Sequence, residues 1–357
     1  MNTVAIPSSI LQSATHVVRS VSGQDLRTLL SSPELYPVNI ELQKGKMAFV
    51  RMSRETYRNS VFLDTRTQHL GREIYEIRLD DILLRAAGTP TCARRTHYIF
   101  HPTFSCSTLL ARYFELIPGC FVLKEPSLLT QLALISKEAV REWDQILQVS
   151  LRLLTRTYQP DELVIIKAHE PCNVLAETLL EQDQNATATF LITPLRQFVL
   201  SVLKSEFRRN WVRTRIPAVA IAAECAALAQ QRAENLTDGQ AAAFLWLVNR
   251  FLCGRLCATR CCSRVYCLEA DRLISSPKTA LGQMMRNCGL ALEEAQIDMM
   301  IGHPSIQRHA KDTSRQYGAN QRRLEMAELE RRFAVEADLA VEWAGDLGMD
   351  CDLPDSV

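Results

Sequence analysis

The run Tyr98-Ile-Phe-His-Pro-Thr-Phe-Ser-Cys-Ser-Thr-Leu-Leu-Ala-Arg112 has the residue types and spacing of an anion site. It reads as a buried strand, a small-residue turn and a helix start. Such a turn leaves unpaired backbone N–H groups at the positive end of a helix dipole, where a phosphate or sulfate oxygen binds best. The cradle would be the backbone of Thr103, Phe104, Ser105, Cys106, Ser107, Thr108 and Leu109, with the Ser107 and Thr108 hydroxyls adding hydrogen bonds. A plain strand–turn–helix with a serine cap uses the same residues. The loop contains no glycine and lacks the lysine of a Walker A motif, so its cation must come from elsewhere. Further polar groups follow apolar runs at Lys124-Glu125, at Lys167 to Glu170 and at Thr193 to Arg196.

Elements that could bring these groups together are legible in the pattern. From residue 97 strands and helices alternate: strands at His97–His101, Cys120–Leu123, Glu162–Lys167, Thr187–Ile192 and Arg264–Glu269 are separated by amphipathic helices. Continuous β-branched runs between helices predict a parallel sheet covered on both faces. In such a sheet ligands bind beyond the carboxyl ends of the strands, so all four polar groups would share one rim. Residues 1–90 differ in texture. Ile40–Leu42, Met47–Met52 and Glu73–Leu79 read as strands of a half-buried antiparallel sheet, Asp80–Ala87 as a short helix and Gly88–Thr91 as a linker. The expected organisation is an N-terminal α+β extension, 1–90, and an α/β domain, 91–357.

Composition narrows the partners. With 41 basic and 40 acidic side chains the formal charge is +1, which argues against a protein built to coat nucleic acid or an anionic membrane. No apolar run approaches a membrane span, and Met1–Ser20 lacks the charged and apolar pattern of a secretory signal. Twelve cysteines in 357 residues then read as free thiols in a reducing cytoplasm. The cluster Cys253, Cys257, Cys261, Cys262 and Cys267 invites a metal reading, but Cys253, Cys257 and Cys261 form an i, i+4, i+8 stripe on one helix, and a long helix cannot wrap three thiolates around one ion, so no metal is expected.

The ordered motifs resemble the P-loop sulfotransferases that use 3′-phosphoadenosine 5′-phosphosulfate (PAPS). His101–Leu110 resembles the family's 5′-phosphosulfate loop, and Pro118-Gly-Cys-Phe-Val-Leu-Lys-Glu-Pro-Ser its second strand. Val164-Ile-Ile-Lys-Ala-His-Glu-Pro resembles its Lys-x-Pro strand end. Ile192-Thr-Pro-Leu-Arg-Gln-Phe-Val-Leu-Ser201 resembles the strand and helix that hold the 3′-phosphate. Leu268–Leu290 resembles the closing segment, and Ile306–Lys311 with Arg322 and Arg323 the basic tail over the nucleotide. The likeness spans residues 97–325. It departs from the family at Phe104, where the loop has Lys or Arg, at Cys106, where it has Gly, and at Thr193, in the place of the 3′-phosphate arginine, with Arg196 next to it.

The resemblance implies sulfuryl transfer from PAPS to a hydroxyl or amine of a small-molecule or glycan acceptor, without a metal. Such a reaction asks the enzyme to position an in-line nucleophile and stabilise charge on the leaving oxygen. Glu125 is the expected base, held extended by Pro126 behind it, and His169 with Glu170 is a rival pair. Lys167 is the expected charge stabiliser. Arg196 and Ser201 are the expected 3′-phosphate clamp, aided by Lys204, Arg208, Arg209, Lys311 or Arg322, although Arg196 and Ser201 stand about 140° apart on a helix. The alternative is a non-catalytic relative that binds a nucleotide or partner through the same rim. A kinase is disfavoured by the absence of Gly-Lys-Ser/Thr.

Overall fold

The computed structural model describes residues 18–20, 28–64, 73–89, 95–135, 137–222, 233–308, 314 and 316–347. It resolves into two compact units: Met1–Ala93 with Glu125–Glu162, and Arg94–Lys124 with Leu163–Val357. The segment 125–162, which the sequence division places in the second domain, is thus part of the first unit. Strands are numbered β1 Val18–Ser20, β2 Leu35–Glu41, β3 Lys46–Arg51, β4 Ile74–Arg78, β5 Thr96–Phe100, β6 Cys120–Lys124, β7 Leu163–Lys167, β8 Thr187–Ile192 and β9 Val265–Glu269.

In the first unit β2, β3 and β4 form the expected antiparallel meander, and β1 adds to β4 in parallel, giving the order β1-β4-β3-β2. A bulge between Pro37 and Asn39 in β2 frees the Val38 carbonyl, which accepts from Ser127 Oγ at 2.6 Å and Gln131 Nε2 at 3.2 Å. Those residues belong to the helix Ser127–Ala133. After the helix Trp143–Leu154, Arg156 is 1% exposed and donates to the carbonyls of Leu153, Leu29 and Leu35 at 2.6, 2.6 and 2.5 Å. One guanidinium therefore joins both segments of the unit by satisfying carbonyls that burial would otherwise orphan.

The second unit is a five-stranded parallel sheet in the order β6-β7-β5-β8-β9. Every residue of β5 and β7 is buried, as a sheet covered on both faces requires. Its helices are α1 Ser107–Glu115, α2 Ala176–Gln182, α3 Leu195–Leu203, α4 Glu206–Ala222, α5 Asp238–Cys257, α6 Arg272–Ser275, α7 Pro277–Asn287, α8 Glu294–Gly302 and α9 Ala319–Asp346. Strand alternation sorts the core. Ile99, Val122, Ile165, Leu191 and Leu268 pack with α1, α7 and α8 on one face. On the other face Tyr98 stacks on Phe100 at 5.7 Å and Phe100 meets Phe190 at 6.1 Å. A second cluster joins α3, α4, α5 and α9. The single helix expected over Leu195–Phe207 is broken after Leu203, where Ser205 accepts the backbone N–H groups of Arg208 and Arg209 at 3.0 and 3.1 Å. The helix expected over Ala218–Glu234 falls partly outside the described residues; Ala218–Ala222 extends α4. No helix among the described residues is long and apolar enough to cross a membrane.

Candidate functional site

Chain order and sheet order together locate the site. From β5 the chain moves to β6 and β7 on one side, then crosses to β8 and β9 on the other. The loop after β5 therefore lies at the switch point of the sheet, where a crevice opens beyond the strand ends. In that loop Phe104 and Cys106 both have left-handed backbones, φ +65° and +60°. Two such residues without glycine mark stored strain of about 1–3 kcal/mol each, the kind that collects at ligand clamps. Cys106 thus adopts at the helix entry the conformation a glycine adopts freely. Ser105 Oγ closes the turn on the Pro102 carbonyl at 2.5 Å.

Cys106 is the N-cap of α1 and contributes no side-chain capping bond. The first intrahelical bond runs from Leu110 N–H to the Cys106 carbonyl at 3.1 Å, so the N–H groups of Ser107, Thr108 and Leu109 precede it. The expected cradle residues 103–109 thus span the turn and the first residues of α1. Cys106→Gly should be more stable than Cys106→Ala by about 1 kcal/mol, because both lose the thiol but only glycine is relaxed at this φ. Urea unfolding of the two variants measures the difference, and equal midpoints would show that the turn relaxes.

Cations reach this loop from distant helices. Arg208 lies over the Phe104 ring at 4.3 Å and donates to the Ser201 carbonyl at 2.6 Å, which brings Ser201 and the loop together. Burial raises the Cys106 thiol above its ordinary range; Arg322 opposes this and Asp271 adds to it, so the Arg322 charge is felt at the cradle. Arg322 itself is held by Asp271 at 2.6 Å. The other expected clamp cations are engaged elsewhere: Arg196 with Glu330 and Asp338, Lys204 with Glu325, and Arg209 with Asp238. Arg196 turns to α9, whereas the Ser201 carbonyl accepts from Arg208. Lys311 lies outside the described residues.

At the end of β7, Lys167 is 1% exposed and aligns in register with Lys124 of β6. Lys124 is paired with Glu115 of α1, and burial, with a contribution from the Lys167 charge, lowers its basicity. His169 packs its ring against Trp211 at 6.2 Å, and Trp211 meets Phe104 at 5.9 Å. Glu125 is buried at the start of the segment that belongs to the first unit. The extended backbone expected ahead of Pro126 is not adopted; its φ is +56°. The preference of a residue before proline for the extended region is thus overridden at Glu125.

Sequence reasoning passed over an amide network. Asn173 donates to the His101 carbonyl at 2.9 Å and to Asn249 Oδ1 at 2.6 Å, and Asn249 donates to Glu170 Oε1 at 3.2 Å. The chain ends of β5 and β7 are thereby tied to α5. Burial raises the Glu170 carboxyl to about 7, against the Asn249 hydrogen bond and the Arg215 charge, which both pull it down. The one sequence signal was an asparagine inside the apolar run Leu245-Trp-Leu-Val-Asn249. Around the same rim, buried Thr103 Oγ1, Glu170 Oε2, Thr193 Oγ1 and Gln197 Oε1 have no hydrogen-bond partner among the described residues. Buried polar atoms rarely stay unpaired, so a cluster of them at the ends of adjacent strands β7, β5 and β8 fits a polar ligand.

The chain is similar to solved sulfotransferases. The sulfotransferase domain from the curacin biosynthetic pathway is 11% identical, with 72% of this chain and 99% of that one covered at a TM-score of 0.40. Sulfotransferase STF1 from Mycobacterium tuberculosis H37Rv is 14% identical, covering 72% and 82% at 0.39. Mouse sulfotransferase SULT7A1, solved with PAP, is 10% identical, covering 76% and 96% at 0.36. No family model and no curated protein matches the chain by sequence. Identities this low and superpositions this partial amount to a resemblance and no more.

Proposed function

We propose that the second unit binds PAPS at the 103–109 cradle and transfers its sulfuryl group to a hydroxyl or amine of a small-molecule or glycan acceptor. The observation that carries this reading is the loop after β5: a strained turn at the switch point, ending in a helix N-terminus without a side-chain cap, with Arg208 over the Phe104 ring and the Arg322 charge acting on Cys106. The order of sulfotransferase-like motifs along the chain supports it.

The residues fit the demands of the chemistry. The backbone N–H groups of the cradle and the hydroxyls of Ser107 and Thr108 would hold the phosphosulfate. Arg208 and Arg322 would supply the charge that Phe104 cannot. Lys167, the only lysine of β7, would stabilise charge on the leaving oxygen. Glu170, poised at about 7, would take the acceptor proton, with His169 beside it. Isothermal titration of the full chain with 3′,5′-adenosine bisphosphate should give one site per chain. Absence of binding by folded protein would end this reading. Binding without labelled-sulfate transfer to any acceptor in a library would favour the non-catalytic relative.

A further inference from the structure

The cysteines toward the end of α5 do not lie as a simple stripe. Cys253 and Cys257, four residues apart on α5, share one helix face. Their third partner is Cys267, in the middle of β9, and not Cys261. The alternation of β9 turns Tyr266 and Leu268 toward the α7 side of the sheet and Cys267 toward the other. Cys267 Sγ is 3.7 Å from Cys253 Sγ and 3.7 Å from Cys257 Sγ. All three sulfurs lie within 4.8 Å of one another. Cys261 faces away, its sulfur accepting from Arg264 at 3.2 Å.

We propose that Cys253, Cys257 and Cys267, with Cys262 as fourth ligand, form a structural site for a zinc-type divalent ion that clasps the end of α5 to the edge strand β9. The distances favour a metal. Thiolates at the usual Zn–S length of about 2.3 Å sit about 3.8 Å apart along the edge of a tetrahedron, which is the spacing found here. A disulfide needs about 2.05 Å between sulfurs. The spacing agrees as well: Cys253 and Cys257 are separated by three residues, and Cys262 and Cys267 by four, both within the range for paired zinc ligands. The earlier objection, that one helix cannot wrap three thiolates around an ion, does not apply when strand and turn supply the other two.

The surroundings add a fourth sulfur and a positive charge. Cys262, in the turn after α5, is within hydrogen-bonding reach of Cys257, and Arg250 stands one to two turns back on the same helix. Arg250 would offset part of the charge of a four-thiolate site. β8 separates β9 from β5, the strand that leads into the cradle, so the site is proposed independently of the transfer.

The test is metal content. Full-length protein purified under reducing conditions, loaded with Zn²⁺ and dialysed, should retain one ion per chain by plasma mass spectrometry. Loading with Co²⁺ should give the intense thiolate-to-cobalt absorption of a tetrahedral site. Cys257→Ser and Cys267→Ser should each lose the ion, whereas Cys172→Ser should keep it. Chelation of the wild type should lower its melting temperature, a readout that survives even if a variant fails to fold. Wild-type protein that is folded but holds no stoichiometric metal, or whose cluster thiols all react with a thiol reagent in the presence of Zn²⁺, would overturn the proposal. A disulfide recovered between these cysteines under reducing conditions would do the same.

Discussion

Glu170→Gln is expected to lower sulfuryl transfer by about 10²- to 10⁴-fold while making the fold more stable at alkaline pH. Burial raises the carboxyl from 4.5 to about 7. Between those two values the folded chain keeps a proton that the unfolded chain has released. The stability Glu170 contributes is therefore complete below the unfolded value and is lost as pH rises through about 7. Above that, the ionised buried carboxylate costs about 3 kcal/mol relative to acid. Glutamine retains an acceptor oxygen for Asn249 and cannot ionise. Urea unfolding at about pH 5 and about pH 8 should thus show wild-type stability falling and the variant's staying level. Wild-type turnover should climb through pH 7 as the base forms. Unchanged turnover in the variant would remove Glu170 from the chemistry, and a wild type equally stable at both pH values would show that its carboxyl is not raised.

Arg208→Ala and Arg322→Ala should each weaken binding of 3′,5′-adenosine bisphosphate by about 10- to 150-fold, since a hydrogen bond to a charged group contributes about 1.5–3 kcal/mol. Arg196→Ala should change it by less than about threefold, because that guanidinium already serves Glu330 and Asp338. Calorimetry on the three proteins separates the two outcomes. A large loss with Arg196→Ala and none with Arg208→Ala would return the clamp to its sequence-derived position. Because Arg322→Ala also leaves Asp271 without its partner, the double variant with Asp271→Asn separates a folding defect from lost affinity.

The parallel sheet was readable because strands buried on both faces are written as unbroken runs such as Leu163-Val-Ile-Ile-Lys167, which no helix period fits. The cradle was readable from its place between strand and helix. Its conformation was not, since nothing in Phe104 or Cys106 announces a left-handed backbone; tertiary contacts impose it. The cations were legible as candidates but not in rank. Arg208 and Arg322 were named only as aids to a clamp led by Arg196, because they come from helices that only the fold brings to the loop, whereas Arg196, nearer in the motif, is drawn off by α9. Cys267 belonged to the cysteine cluster read from the sequence, but its place beside Cys253 was not legible, because strand periodicity and helix periodicity had to be combined to see it. The assignment of 125–162 to the first unit leaves no mark in composition; it depends on long-range bonds such as those of Arg156.

That last bond has a consequence for how the chain is made. A ribosome delivers residues in order, yet the carbonyls of Leu29 and Leu35 wait for a guanidinium that emerges more than a hundred positions later. The first unit is therefore expected to remain open through the synthesis of β5 and β6 and to close only after residue 162 has left the exit tunnel. It would then still mature ahead of the second unit, whose last helix runs to Asp346, and a nascent chain halted before Arg156 should be digested by protease along its whole length.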